Sequence, residues 1–200
     1  MFQHPALSKL PPFGALEAEI AHQRSRPRLR PGQIESAPPS TESVWSYPRP
    51  PRVEASAREA RVEHRGRRVA QSSKTLRVVE TSGAPVHYFP FDSVDLSALL
   101  PSEGEPAYTL CEWKGLAIYF DVIVGQSRVS RAAWTYPRPL DDLGQGYEQL
   151  KWRYAFHPAG LEACSVDGER IEPQPGGYYG GWVSSEIRGP LKGLPGSEGW

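Results

Sequence analysis

Glu80, Lys114 and Cys111 are the residues of this chain whose types suit acid–base or nucleophilic chemistry. Glu80 ends the apolar run TLRVVE, and Lys114 stands in a turn between the runs YTLCEW and LAIYFDVIV. A buried carboxylate beside an ammonium would shift both pKa values toward acid–base work; a solvated ion pair at the strand ends is the plainer reading. Cys111 as a nucleophile needs a neighbouring base, for which His87 and His157 are available. On an apolar face the same thiol is inert packing. Tyr88, Trp113, Tyr119, Trp134 and Tyr136 supply rings for a concave pocket holding a small organic or cationic ligand, with Glu80 and Lys114 orienting it.

These side chains must be carried by strands. From Glu59 onward the sequence alternates apolar and polar residues or runs β-branched, as in ARVEHRGRRVAQS, TLRVVET and SRVSRAAW, with glycine at the turns and Asp167-Gly168 as a hairpin signal. SVDLSALL, capped by Asp92 or Ser93 and closed by Pro101, reads as a short helix. A two-residue turn at Lys114-Gly115 would place Cys111 opposite Ile118 on the apolar face, and a loop one residue longer would turn it over. The expected fold is mainly β, a compact antiparallel barrel or strongly bent sheet with one short helix.

Three segments follow from composition. Residues 1–43 form an extension that is extended or poorly ordered, in which Arg24, Arg26, Arg28 and Arg30 alternate and would share one face, suited to phosphate or an acidic partner, if they are more than a solvated tail. Residues 44–172 form the β domain. Residues 173–200 are rich in glycine and proline but carry Tyr178, Tyr179, Trp182 and Trp200, which implies an ordered tail wrapping the domain.

The string VWSYPRPP at Val44–Pro51 returns as AWTYPRPL at Ala133–Leu140, a weak internal repeat. In an extended chain each copy sets a Trp and a Tyr on one face, with Arg49 or Arg138 placed to fold over the rings.

Lys plus Arg and Asp plus Glu number 23 each, so no global field draws the chain toward nucleic acid or an anionic membrane. Two cysteines, an opening without a signal pattern and no long apolar run imply free thiols, a cytoplasmic location and no membrane span. Neither metal-ligand spacing nor a phosphate-loop motif occurs, so no cofactor or metal is expected.

Taken in order, ESVWSYPRPPRVE, LRVVETSGAPVHYFP, CEWKGLAIYFDVIVG, AAWTYPRPL, YAFHPAG, DGERIEPQPGGYYGGW and GPLKGLPGSEGW resemble family 427 of the domains of unknown function over roughly residues 42–200. The resemblance implies a compact β-barrel-like domain whose core or pocket is framed by Glu80, Thr81, Tyr88, Pro90, Cys111, Lys114, Gly115, Tyr119, Trp134 and Tyr136. His157 departs from that pattern. The family also carries a nucleotidyltransferase-like label, whose chemistry wants a Gly-Ser turn followed by paired aspartates; Asp141-Asp142 lacks that frame.

Three functions are therefore expected in this order: a module binding a small molecule in the aromatic pocket; a metal-independent enzyme with Glu80 as general acid or base and Lys114 or Cys111 as partner or nucleophile; and a structural module that pairs as a homodimer.

Overall fold

A computed structural model describes residues 4–200; residues 1–3 of the extension lie outside it. Strands dominate, all antiparallel except for one two-residue pairing. An eight-stranded sheet runs in the order Arg52–Ser56, Thr75–Glu80, Gly83–Phe89, Tyr154–Phe156, Ser127–Pro139, Gly115–Val124 and Leu99–Pro101, with Tyr108–Cys111 also pairing on Gly115–Val124. A second sheet of four strands is ordered Glu169–Arg170, Ala163–Val166, Ala60–His64 and Arg67–Ser72. The sheets are strongly bent and do not close into a barrel. Bulges in Ser127–Pro139, between Val129 and Ala133 and between Thr135 and Arg138, mark where that long strand departs from its partner's register.

Alternation along these strands separates two faces. Phe89, Tyr154, Phe156, Phe120, Ile118 and Leu116 point one way and meet Ala60, Val62, Val69, Cys164 and Val166 of the second sheet. Phe89, Phe120 and Phe156 are fully buried there, and each contributes roughly 2 to 3 kcal/mol by leaving water. The opposite face carries Val53, Leu76, Val78, Tyr88, Ala155, Trp134, Tyr136, Ala117, Tyr119 and Cys111, and it holds most of the residues singled out from the sequence.

The one α-helix spans Glu17–Ser25, with Glu17 and Glu19 in its first turn and His22 and Arg24 in its last, charges that favour both ends of a helix dipole. Residues 93–100, expected to be helical, are instead two 3-10 turns and a strand. Val94 bridges to Ala70, the Asp95 amide donates to Val69 O, and Leu99–Pro101 pairs with Phe120–Val122, so ladder pairing overrides a modest helical propensity. His4, Ala6, Leu10 and Ile20 of the extension are buried, and Leu7, Phe13 and Leu16 pack on the core. Both ends of the chain are tied together. Glu42–Ser43 pairs in parallel with Ile187–Arg188, and the Leu29 amide donates to Gly199 O at 2.7 Å.

The two similar strings take different conformations. Val44–Ser46 is a 3-10 turn, with the Trp45 indole donating to Pro190 O at 2.9 Å, whereas the second copy lies within Ser127–Pro139. Neither arginine folds over its own rings: Arg49 pairs with Glu80 and Arg138 donates to Leu10 O.

Candidate functional site

Register decides which residues meet. Cys111 pairs with Gly115, so the turn holds three residues, Glu112, Trp113 and Lys114, and Gly115 takes φ +93°, a backbone that suits glycine. The longer turn reverses the pairing that two turn residues would give: Cys111 and Thr109 leave the apolar core and share a face with Ala117 and Tyr119. Thr109 Oγ1 and the Tyr119 hydroxyl lie 2.6 Å apart.

On this face Leu76, Tyr88, Ala155, Trp134 and Tyr119 form one row of direct cross-strand neighbours. Ala155 is the small member, and its size lets the flanking rings meet above it. Tyr88 and Trp134 cross edge to face at 6.2 Å, and the indole N–H donates to the Tyr88 hydroxyl at 3.3 Å. Tyr136 stands 6.3 Å from Tyr88. Tyr147, whose hydroxyl donates to Pro51 O at 2.6 Å, and Leu150 cover the row. From above, Gly180 of the tail approaches Trp134 so closely that an added Cβ would lie 2.3 Å from the ring.

Lys114 is buried among these rings. Burial would lower its pKa, but Cys111, Tyr88 and Glu80 overcome that cost and hold it above the usual lysine value. No carboxylate lies within 4 Å of its ammonium among the described residues. Tyr88 and Tyr136 are pushed up, chiefly by burial, so both phenols stay neutral at physiological pH. Glu80 lies at the end of its strand, where its Oε1 accepts from Arg49 Nε at 3.1 Å while Arg49 also donates to Thr81 O. All eight residues singled out from the sequence thus lie on or beside one face. His87 and His157 do not join them: His87 bonds Thr75 and stacks near Trp182, and His157 Nε2 has no partner.

Space for a ligand lies beside the ring row rather than within it, because Tyr88, Trp134 and Tyr136 pack against one another. A cavity of about 420 Å³ is lined by Arg24, Arg28, Leu29, Arg30, Trp45, Arg49, Thr81 and Trp113. Of the five rings expected to form a pocket, only Trp113 lines it. The extension supplies one wall. Arg24 stacks on Trp113 at 5.2 Å, Arg30 lies over Trp45 at 5.6 Å, and the Trp113 indole N–H is buried with no partner. Thr81 was among the residues that the family resemblance placed at a core or pocket; Trp45 and Arg49 were not expected at a ligand site. The run of arginines from Arg24 to Arg30 was the sequence signal that pointed here, although Arg26 does not line the cavity.

Among the described residues, no group of His, Cys, Asp and Glu is placed to hold a metal ion, and no helix is long and apolar enough to cross a membrane. A family model described as a domain of unknown function, DUF427, and labelled NTP_transf_9 matches residues 52–167, more than half of the chain. Comparison with curated proteins gives no match.

Proposed function

Starting from the fact that this chain belongs to the DUF427 family, we propose that it binds a small organic molecule in the cleft between the extension and the sheet, beside the Lys114 cluster. The observation that carries this reading is the cavity of about 420 Å³ walled by two tryptophans and four arginines; its size falls within the roughly 300 to 1,000 Å³ usual for ligand sites. Trp113 joins the two parts: it lines the cavity, and the next residue along its turn is the buried Lys114.

Thermal unfolding of the protein against a metabolite library tests the proposal, since a ligand at a hundred times its Kd adds about 2.7 kcal/mol to stability. Leu29 lines the cavity and is exposed. A Leu29→Trp variant fills the space without touching the core, so it should fold normally and lose the response. Stabilising compounds that act equally on this variant would place binding elsewhere.

A second reading is favoured by one observation, the buried ammonium of Lys114 against a thiol and neutral phenols. In it a molecule held in the cleft is turned over, with Glu80 as acid or base, Cys111 as nucleophile and Lys114 stabilising developing negative charge. Lys114→Met should then abolish conversion while weakening binding in the cleft far less; conversion that survives would remove this reading.

A further inference from the structure

We infer that the ligand of the cleft is a small aromatic oxyanion, an aryl or heteroaryl group bearing a carboxylate or a phosphate. This rests on the proposal that the cleft binds a small molecule, and it goes further by fixing the ligand's charge.

Charge bookkeeping supports it. The cavity lining contains four guanidiniums and no carboxylate. Arg24, Arg28 and Arg49 are each paired, with Asp142, Glu112 and Glu80, but all three acids stand outside the lining. Arg30 makes no ion pair among the described residues; its guanidinium lies over Trp45. Lys114, next to the lining residue Trp113, adds a buried cation with no carboxylate at ion-pair distance. Five cations therefore stand against three carboxylates around one partly enclosed space, where charges are screened less than on an open surface. An entering cation would be repelled. An oxyanion would accept from guanidiniums that present planar forks of donors, the geometry that matches carboxylate and phosphate.

The rest of the lining describes the rest of the ligand. Apart from Thr81, it consists of Trp45, Trp113 and Leu29, flat or apolar surfaces that suit a ring. The small cationic ligand expected from the ring residues alone fits this charge balance poorly.

Tryptophan fluorescence and calorimetry of the full chain can test the inference with five probes: phenyl phosphate, benzoate, benzyl alcohol, benzylamine and inorganic phosphate. Phenyl phosphate or benzoate should bind at least about ten-fold more tightly than benzyl alcohol or benzylamine, with affinity falling as salt rises. Arg30→Gln should weaken binding about ten-fold, because it removes an unpaired cation without breaking an ion pair. Arg26→Gln, on the same segment but outside the lining, should change nothing. Equal binding of the alcohol or the amine would overturn the charge assignment while leaving a binding cleft in place. Inorganic phosphate binding as tightly as phenyl phosphate would overturn the aromatic part. If neither aryl anion binds, yet library compounds stabilise the protein and fail on Leu29→Trp, the inference falls and the proposed function stands; if the library is silent too, both fall.

Discussion

Lys114 lies buried in the three-residue turn that Cys111 opens and Gly115 closes, so the ammonium and the thiol of the site belong to one hairpin. Cys111→Ala removes the polarizable sulfur that helps offset the cost of burying that ammonium, which should cost about 1 to 3 kcal/mol in urea unfolding. Lys114→Met removes the charge and keeps most of the volume, and it should change stability by no more than about 1 kcal/mol. The double variant should then cost less than the sum of the two. Simple additivity would show that the pair is not energetically coupled.

His87 gives a prediction for acid. Burial, helped by the charges of Arg77 and Arg58, lowers its pKa from an ordinary 6.5 to about 4. Above pH 6.5 the imidazole is neutral whether the chain is folded or not. Between 6.5 and 4 the unfolded chain takes up a proton that the folded chain refuses, so stability falls as pH falls through this window, by roughly 3 kcal/mol in total. In a His87→Gln variant the loss of stability between pH 7 and pH 4.5 should be visibly smaller than in the parent, measured by urea midpoints at each pH. Parallel curves would rule this group out as a source of acid sensitivity.

Asp121 is only 1% exposed and accepts from Ser102 Oγ, from Arg128 Nε at 2.6 Å and from the Arg131 amide at 2.9 Å. Burial raises its pKa, but these donors more than reverse the effect and hold it below the usual aspartate value. Its contribution is therefore present above pH 3.8 and lost below it. Asp121→Ala leaves the donors without their acceptor and should destabilise the protein by about 3 kcal/mol at pH 7. A loss below about 1 kcal/mol would mean that the network matters little.

Gly180 lies where a methyl group would press on the Trp134 ring. Gly180→Ala should push either the tail or the indole aside, weakening the Trp134 to Tyr88 hydrogen bond and costing about 1 to 3 kcal/mol by overpacking. The near-ultraviolet circular dichroism of the aromatic cluster should change with it. An unchanged spectrum with unchanged stability would show that the tail does not hold this ring.

Much of this site could be read from the sequence because period-two alternation is strong in the central strands. That pattern put Trp134 with Tyr136 and Tyr119 with Asp121, and it named the residues that meet at the Lys114 turn. It could not choose the length of that turn. One added residue moved Cys111 from the core face to the face of the ring row, a difference decided by the turn geometry at Gly115, which alternation in the flanking strands does not report. The cavity was less legible still. Trp45 reaches it from a 3-10 turn and Arg49 from the loop that follows, segments that carry no period from which a direction could be taken. The helix expected at residues 93–100 fails for a related reason, because partners distant in sequence draw them into ladders; the short helical pattern that the sequence also shows at residues 15–21 overlaps the helix at Glu17–Ser25, built from ordinary helix formers with well-placed terminal charges.

The segment matched by the family, residues 52–167, contains the thiol, the lysine and the ring row. Arg24, Arg28, Leu29, Arg30, Trp45 and Arg49 all precede it. On the proposed reading, the family segment carries the thiol, the lysine and two of the cleft residues, Thr81 and Trp113, while the stretch before it supplies the other six. Changing Arg30 and Leu29, which line the cleft and are exposed, should therefore retune what the cleft accepts without disturbing the core contacts that His4, Leu10 and Phe13 make from the same stretch.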